Sequence, residues 1–291
     1  MSVFIQQESI PMSFTKKAWV ILNPIEQSIR NKIEKYGVPL KDWDVNIYRG
    51  VLTGCNEAFI IDGAKRAELI AADPKSDEII RPILRGRDIK RNGYEFADLW
   101  LICTFPSLRL NIDDYPAIRD WLSGGSWTLE KTKGNPPTPL GTGKLRLEQS
   151  GSSHLVNGIS FKSRKKTNNK WFETQDSIAY WNDFSKPKIC YSETNDATET
   201  KLALDNNGFY TDKTCFIMLG QTKEQTELLY YNLSSEVFTW YMRMLSPLLG
   251  NAGISLTKDS VELFPAIPER GMDYNLTEDE KSWITNSLKR F

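Results

Sequence analysis

A single histidine, His154, serves a chain of 291 residues, and much familiar chemistry is excluded with that scarcity. A hydrolase built on a Ser/His/Asp or Cys/His arrangement would have to use it, yet it lies in S-G-S-S-H-L-V-N-G, a polar segment expected as a solvated loop, and no G-x-S-x-G elbow occurs. The four cysteines, Cys55, Cys103, Cys190 and Cys215, form no C-x-x-C pair, which removes a zinc knuckle and a redox motif. They read as small buried hydrophobes of a reducing, cytoplasmic compartment. A transition-metal site has too few ligands to draw on. Net charge is also lacking: Lys plus Arg is 37 and Asp plus Glu is 37. A nucleic-acid reading therefore needs local basic patches, because the whole molecule supplies no electrostatic footprint. No apolar window approaches transmembrane length, and the start M-S-V-F-I-Q-Q-E-S has no basic region ahead of an apolar run. No repeat or low-complexity tract is present.

What is there reads as α+β, with short strands and a few helices but no regular βαβ alternation. The expectation is one domain over 1–291 built on a curved, mostly antiparallel sheet with packed helices, and residues 273–291 as a helical appendage. W-V-I-L within Phe14 to Leu22 reads as a strand. A helix follows, with Asn23 as N-cap, Pro24 at its first position, Glu26 completing a capping box and Gly37 ending it. V-N-I-Y-R-G-V and E-A-F-I-I-D read as two strands joined by the T-G-C-N turn. Ala64 to Ala71 and Asp113 to Leu122 read as helices; Asp98 to Thr104, Trp171 to Glu173, Pro187 to Tyr191 and C-F-I-M-L read as strands. One long helix is expected from Thr222 to the residue before Pro247, and a last one from Glu278 to Leu288 with Thr277 and Glu280 as its capping box. Residues 123–170 form a polar middle. Nine tryptophans supply either core or flat stacking surfaces.

Two catalytic patterns invite attention and are set aside. Asn135-Pro136-Pro137-Thr138 resembles the amino-methyltransferase loop, but Thr138 replaces the aromatic ring that stacks on a flipped base, and no glycine-rich loop follows a strand upstream. A proline-rich surface loop is expected instead. Asp77 or Glu78 with Asp88-x-Lys90 could be read as a metal-dependent nuclease pattern, but acid-x-Lys triplets are frequent in any charged sequence.

The positive signal is basic clustering. Arg81, Arg85, Arg87, Lys90 and Arg91 stand against Asp88 alone, while Lys162, Arg164, Lys165, Lys166 and Lys170 run with no intervening acid up to Trp171. Such residues contact phosphates and guanine edges, and Asn168 and Asn169 add the amides that read adenine. Charge alone leaves two readings open, a DNA-contacting surface and a solvated basic loop.

Order and spacing add a resemblance. Gly50, Thr53-Gly54-x-Asn56, Ala58-Phe59, the Ile79-Ile80-x-Pro82-x-Leu84-x-Gly86-Arg87-Asp88-Ile89 run and Trp100-Leu101-Ile102 resemble the opening of the TaqI-like C-terminal specificity domain of type IIG restriction-modification and related adenine methyltransferase chains. Residues 157–181, Lys186-Pro187-Lys188-Ile189, Tyr230 to Ser235, Gly250-x-x-Gly253 and Leu263-Phe264-Pro265 extend it over nearly the whole chain. The resemblance implies recognition of a double-stranded DNA site for a methyltransferase or fused methyltransferase-endonuclease. It implies no catalytic, cofactor or metal residues in this chain, and S-adenosylmethionine on a methyltransferase domain lying upstream in a longer protein. Lys162, Arg164, Lys165, Lys166 and Lys170 become the principal DNA contacts, with Asn168 and Asn169 beside them and Arg85 and Arg87 secondary. Arg87 pairing with a carboxylate under the sheet, and Trp171 anchoring the loop, are the structural alternatives. A free-standing module that binds a protein partner through exposed aromatics is the competing function.

Overall fold

A computed structural model of the chain describes residues 22–125, 127, 139–246, 248–249 and 253–289. The expected strand before Leu22, the Asn135–Thr138 segment and Gly250 lie outside the described residues.

Helix α1 (Pro24–Tyr36) begins with the Asn23–Glu26 capping box that its sequence announces, closed in both directions. Strand β1 (Val45–Arg49) follows. The next segment departs from the expected hairpin: Asn56–Phe59 makes one helical turn, and only Ile60–Asp62 is extended, as β2. These two strands do not pair with each other. Helix α2 (Gly63–Ala72) is N-capped by Asp62, and β3 (Ile80–Leu84), β4 (Leu99–Ile102) and α3 (Pro116–Gly124) complete the first half. The polar middle is more ordered than its composition suggested, holding a short helix, α4 (Gly143–Leu147), and a hairpin of β5 (Ser153–Val156) and β6 (Ile159–Lys162). His154 sits on β5, half-buried, its ring 5.4 Å from that of Phe161. Trp171 to Glu173 forms a turn and not a strand.

The second half carries β7 (Lys188–Ser192), β8 (Leu202–Asp205), β9 (Tyr210–Thr211) and β10 (Cys215–Gly220). Helices α5 (Lys223–Leu233) and α6 (Glu236–Leu245) replace the single long helix expected there. The break arises because the Ser235 side chain accepts the Phe238 N–H and starts a new helix, an N-cap inside an unbroken apolar periodicity. Helix α7 (Glu278–Leu288) closes the chain. Among the described residues no helix is long and apolar enough to cross a membrane.

Two four-stranded sheets organise the molecule. One has the order β8-β7-β10-β1, antiparallel throughout; the other runs β9-β3-β4-β2, with only β9 parallel to its neighbour. The first sheet divides two cores. Cys190, Cys215 and Ile217 face one cluster with Phe59, Leu101, Phe105 and Ile118; the alternate residues Ile189, Tyr191, Phe216 and Met218 face another with Ile29, Phe238, Phe264 and Ile284. Burial of both faces explains why C-F-I-M-L is continuously apolar where a one-sided strand would alternate. All four cysteines are buried and free.

The C-terminal helix, expected as an appendage, puts Ile284 and Leu288 into the second cluster. Its Glu280 accepts hydrogen bonds from Ser28 Oγ (2.6 Å), Lys32 Nζ (2.7 Å) and the Thr277 N–H (2.8 Å). Burial pushes the carboxyl upward, but the Lys32, Ser28 and Thr277 bonds outweigh it and bring its pKa down to about 2 from the usual 4.5. A pKa depressed in the folded state stabilises the fold above the unfolded value, and that contribution is lost as the pH falls from 4.5 toward about 2. Glu280→Gln is therefore expected to lower the urea midpoint at neutral pH, and the wild-type and variant midpoints should converge as the pH approaches 2. Parallel curves over that range would contradict the assignment.

Candidate nucleic-acid interface

The stretch from α4 to Gln175 is built around one inward-turned arginine. Arg164 is buried, and its guanidinium donates from Nε and Nη2 to the Leu147 carbonyl (2.9 and 2.7 Å), from Nη1 to that of Thr53 (2.7 Å) and from Nη2 to that of Trp171 (2.8 Å). It also lies 5.2 Å from the centroid of the Phe59 ring. Three segments distant in sequence are thus tied to one planar cation, a geometry lysine cannot reproduce. Burial draws the pKa of Arg164 down to about 10, against the opposing pull of Cys55 and Glu173, so it remains charged at neutral pH.

Gln149 and Asn169 finish the anchoring. Gln149 Nε2 donates to the carbonyls of Lys170 (3.2 Å) and Glu173 (3.0 Å), and its Oε1 accepts from Thr167 Oγ1 (2.7 Å). Asn169 Nδ2 donates to the Thr174 and Gln175 carbonyls at 3.2 and 2.9 Å. With its inner polar groups satisfied in this way, the loop has a defined inside and outside.

The expected contact residues divide along that boundary. Lys162, Lys165, Lys166, Asn168 and Lys170 are exposed, and none of these lysines is in an ion pair among the described residues. Lys170 Nζ reaches the Leu110 carbonyl at 3.4 Å. Arg164 and Asn169 point inward, so their donors are consumed by the protein backbone and they position the lysines instead of presenting donors to a ligand. Trp171 is half-buried against the first core cluster, as an anchor would be. Two basic residues outside the expected set join this face. Arg146 donates to the Lys162 carbonyl (2.9 Å) with its guanidinium 5.8 Å from the Phe161 ring centroid, and Lys144 Nζ lies 5.7 Å from that of Trp171. Both are visible in the sequence as K-L-R just before the hairpin; extending the charge count upstream from Lys162 finds them, with Glu148 as the one acid up to Lys170. Arg146 and Lys162 border a groove of about 440 Å³ lined also by Gly54, Glu57, Ser153 and Ser160.

The opposite wall is the T-G-C-N turn. Thr53 Oγ1 accepts from the Cys55 N–H (3.2 Å) and bonds Asn56 Oδ1 (2.6 Å), and Gly54 adopts φ of 77°. A Cβ at position 54 would fall 2.6 Å from Gln175 Oε1 and 2.8 Å from Arg164 Cδ. Gly54→Ala is accordingly expected to destabilise the protein by about 1–3 kcal/mol, through left-handed strain and displacement of Arg164. A urea denaturation series measures it; an unchanged midpoint would show that neither the turn nor the arginine depends on the glycine.

The earlier cluster is largely spent on internal bonds. Arg85 forms a two-pronged pair with Asp88, Nε to Oδ2 and Nη2 to Oδ1, both 2.8 Å. Burial pushes Asp88 upward, but Arg85 overcomes it and holds the carboxyl below its ordinary value. Arg81 donates to the carbonyls of Asp77, Glu78 and Ile80, and Lys90 to that of Arg87. The cation paired with a carboxylate is thus Arg85; Arg87 is exposed and in no ion pair among the described residues. The residues of the nuclease pattern are likewise occupied, Asp77 by Arg66 (2.7 Å) and Asp88 by Arg85, and among the described residues no group of His, Cys, Asp and Glu is arranged to hold a metal ion.

No protein-family model and no curated protein matches the chain. Solved structures do. The type IIG restriction endonuclease BpuSI is similar over 92% of this chain and 28% of its own, with 16% identity and a TM-score of 0.49. The type IIL restriction-modification enzyme MmeI, solved in complex with DNA, is similar over 78% of this chain and 25% of its own, with 12% identity and a TM-score of 0.45. The chain therefore spans about a quarter of the length of these enzymes.

Proposed function

We propose that this chain recognises a double-stranded DNA site on behalf of a restriction-modification methyltransferase or fused methyltransferase-endonuclease. The observation that carries the reading is the sorting of the basic segment. Arg164, Gln149 and Asn169 fix the loop from within, while Lys162, Lys165, Lys166 and Lys170 stand outward without carboxylate partners among the described residues. A solvated loop needs no such scaffold, whereas a surface that must meet phosphates at fixed spacing does. Arg146 and Lys144 enlarge the same surface, so a neutral protein gains a locally positive face. Lysines supply sequence-blind affinity; base selection falls to Asn168, Arg146, Glu57 and the serines of the groove, which offer both donors and acceptors to base edges. The chemistry on the selected base belongs to a separate methyltransferase domain that holds S-adenosylmethionine, and no residue of this chain is assigned to that cofactor.

Repeated selection of the protein on a pool of randomised duplexes tests the reading. Enrichment of one short motif is the expected outcome. Retention of duplexes without enrichment would reduce the function to non-specific binding, and no retention would refute it.

A further inference from the structure

A second pocket, distinct from the lysine loop, lies beside the R-G-R-D turn. Its volume is about 450 Å³, and its lining includes Gly86, Arg87, Ser192, Lys201, Asp212 and Thr214. We infer that this pocket seats one backbone phosphate of the bound duplex, an inference that rests on the DNA-recognition reading above.

The charge balance of the pocket supports an anion. Two of its neighbouring acids are paired with cations, while Asp212 keeps its charge. Asp88 is gripped by Arg85, Asp212 accepts from the Thr214 N–H (3.0 Å) and hydroxyl, and Glu193 pairs with Arg49 at 2.7 Å. Arg87 is in no ion pair among the described residues, and Lys201 has only the loose, solvent-facing Asp196 at 3.7 Å. Arg85, Arg87 and Lys201 thus outnumber Asp212, the one carboxylate in the lining, and a guanidinium beside an ammonium matches the oxygens of a phosphodiester. Gly86 shows how closely the turn is packed against its neighbours. Its φ is not in the left-handed region, so its backbone does not require glycine. Its Cα instead faces Ser192 Oγ and Thr214 Oγ1, each 3.0 Å from where a Cβ would stand. The Gly86 N–H donates to Thr214 Oγ1 (2.9 Å), which fixes the turn that carries Arg87.

Position supports the same ligand. Gly50 abuts the pocket, since a Cβ there would lie 2.1 Å from the Asp212 carbonyl oxygen, and Gly54 lines the groove beside the lysine loop. The four intervening residue steps span at most about 14 Å, roughly four base steps of one DNA strand. That separation lies within the span of one bound duplex, and a phosphate held at Arg87 would fix the register in which the loop meets the bases.

The test is a fluorescence-anisotropy titration of the full chain with a labelled duplex at several salt concentrations between about 50 and 200 mM. The double variant Arg87→Ala/Lys201→Ala should bind more weakly on every duplex sequence, and the slope of log affinity against log salt should shrink by about 0.9, the loss of one phosphate. A slope that stays at the wild-type value in this variant, yet shrinks when Lys165 and Lys166 are replaced, would overturn the pocket and leave the lysine loop standing. Salt-independent or absent binding by the wild-type chain would remove both together.

Discussion

Duplex affinity is expected to fall about a hundredfold at low salt when Lys165 and Lys166 are both changed to glutamate. Each lysine that neutralises a phosphate releases condensed counterion, and reversing the charge adds repulsion to the lost release. Both side chains are exposed and free of ion pairs among the described residues, so the thermal stability of the variant should stay within about 0.5 kcal/mol of the wild type. The comparison that sharpens the prediction is Lys35→Glu/Lys223→Glu, an equal charge change at exposed positions away from both the loop and the Arg87 pocket. If that control weakens binding as much, net charge and not the anchored loop is responsible.

The second large effect is on stability. Lys188 and Asp205 are cross-strand partners in β7 and β8, fully buried, with Lys188 Nζ bonded both to the Asp205 carboxylate and to the Phe184 carbonyl. Asp205 also accepts from the N–H groups of Asn207 (2.8 Å) and Phe209 (2.9 Å), which orders the turn into β9. Lys188→Met leaves that carboxylate buried without its cation, a change that costs about 3–5 kcal/mol when one partner of such a pair is lost. Guanidinium denaturation followed by far-UV circular dichroism measures it. A loss below about 1 kcal/mol would mean that the pair is not desolvated as the fold implies.

Much of this architecture is legible in local sequence where the deciding interactions are local. The capping boxes at Asn23–Glu26 and Thr277–Glu280 are each closed within a single turn, and both helices start where those residues place them. The apolar run of β10 likewise reports burial on both faces. Errors occur where tertiary partners decide. The segments around the T-G-C-N turn read as a hairpin, but β1 pairs with β10 and β2 with β4, partners that lie far along the chain. Ser234-Ser235 has the look of helix interior until the Ser235 hydroxyl captures an N–H and splits α5 from α6.

The candidate interface shows the same division more sharply. Clustering of Lys162 to Lys170 was visible, yet nothing in the order of residues tells Arg164 from Lys165. Which of the two turns inward depends on carbonyls at Thr53, Leu147 and Trp171 that only the fold brings together. The R-G-R-D turn was also visible as a motif. Which arginine it uses internally is not: Arg85 braces Asp88 while Arg87 is left outward, in a turn whose Gly86 N–H donates to Thr214, a residue far along the chain.

That a protein of zero net charge can hold duplex DNA rests on the unpaired lysines gathered on one anchored loop. The most direct measurement is the affinity of the unmodified chain for a random-sequence duplex as salt is raised from about 50 to 200 mM. Four phosphate contacts, from Lys162, Lys165, Lys166 and Lys170, alone predict a fall of roughly a hundredfold, to which a phosphate at Arg87 adds. An affinity that hardly changes over that range would contradict the account and point to an apolar interface with another protein.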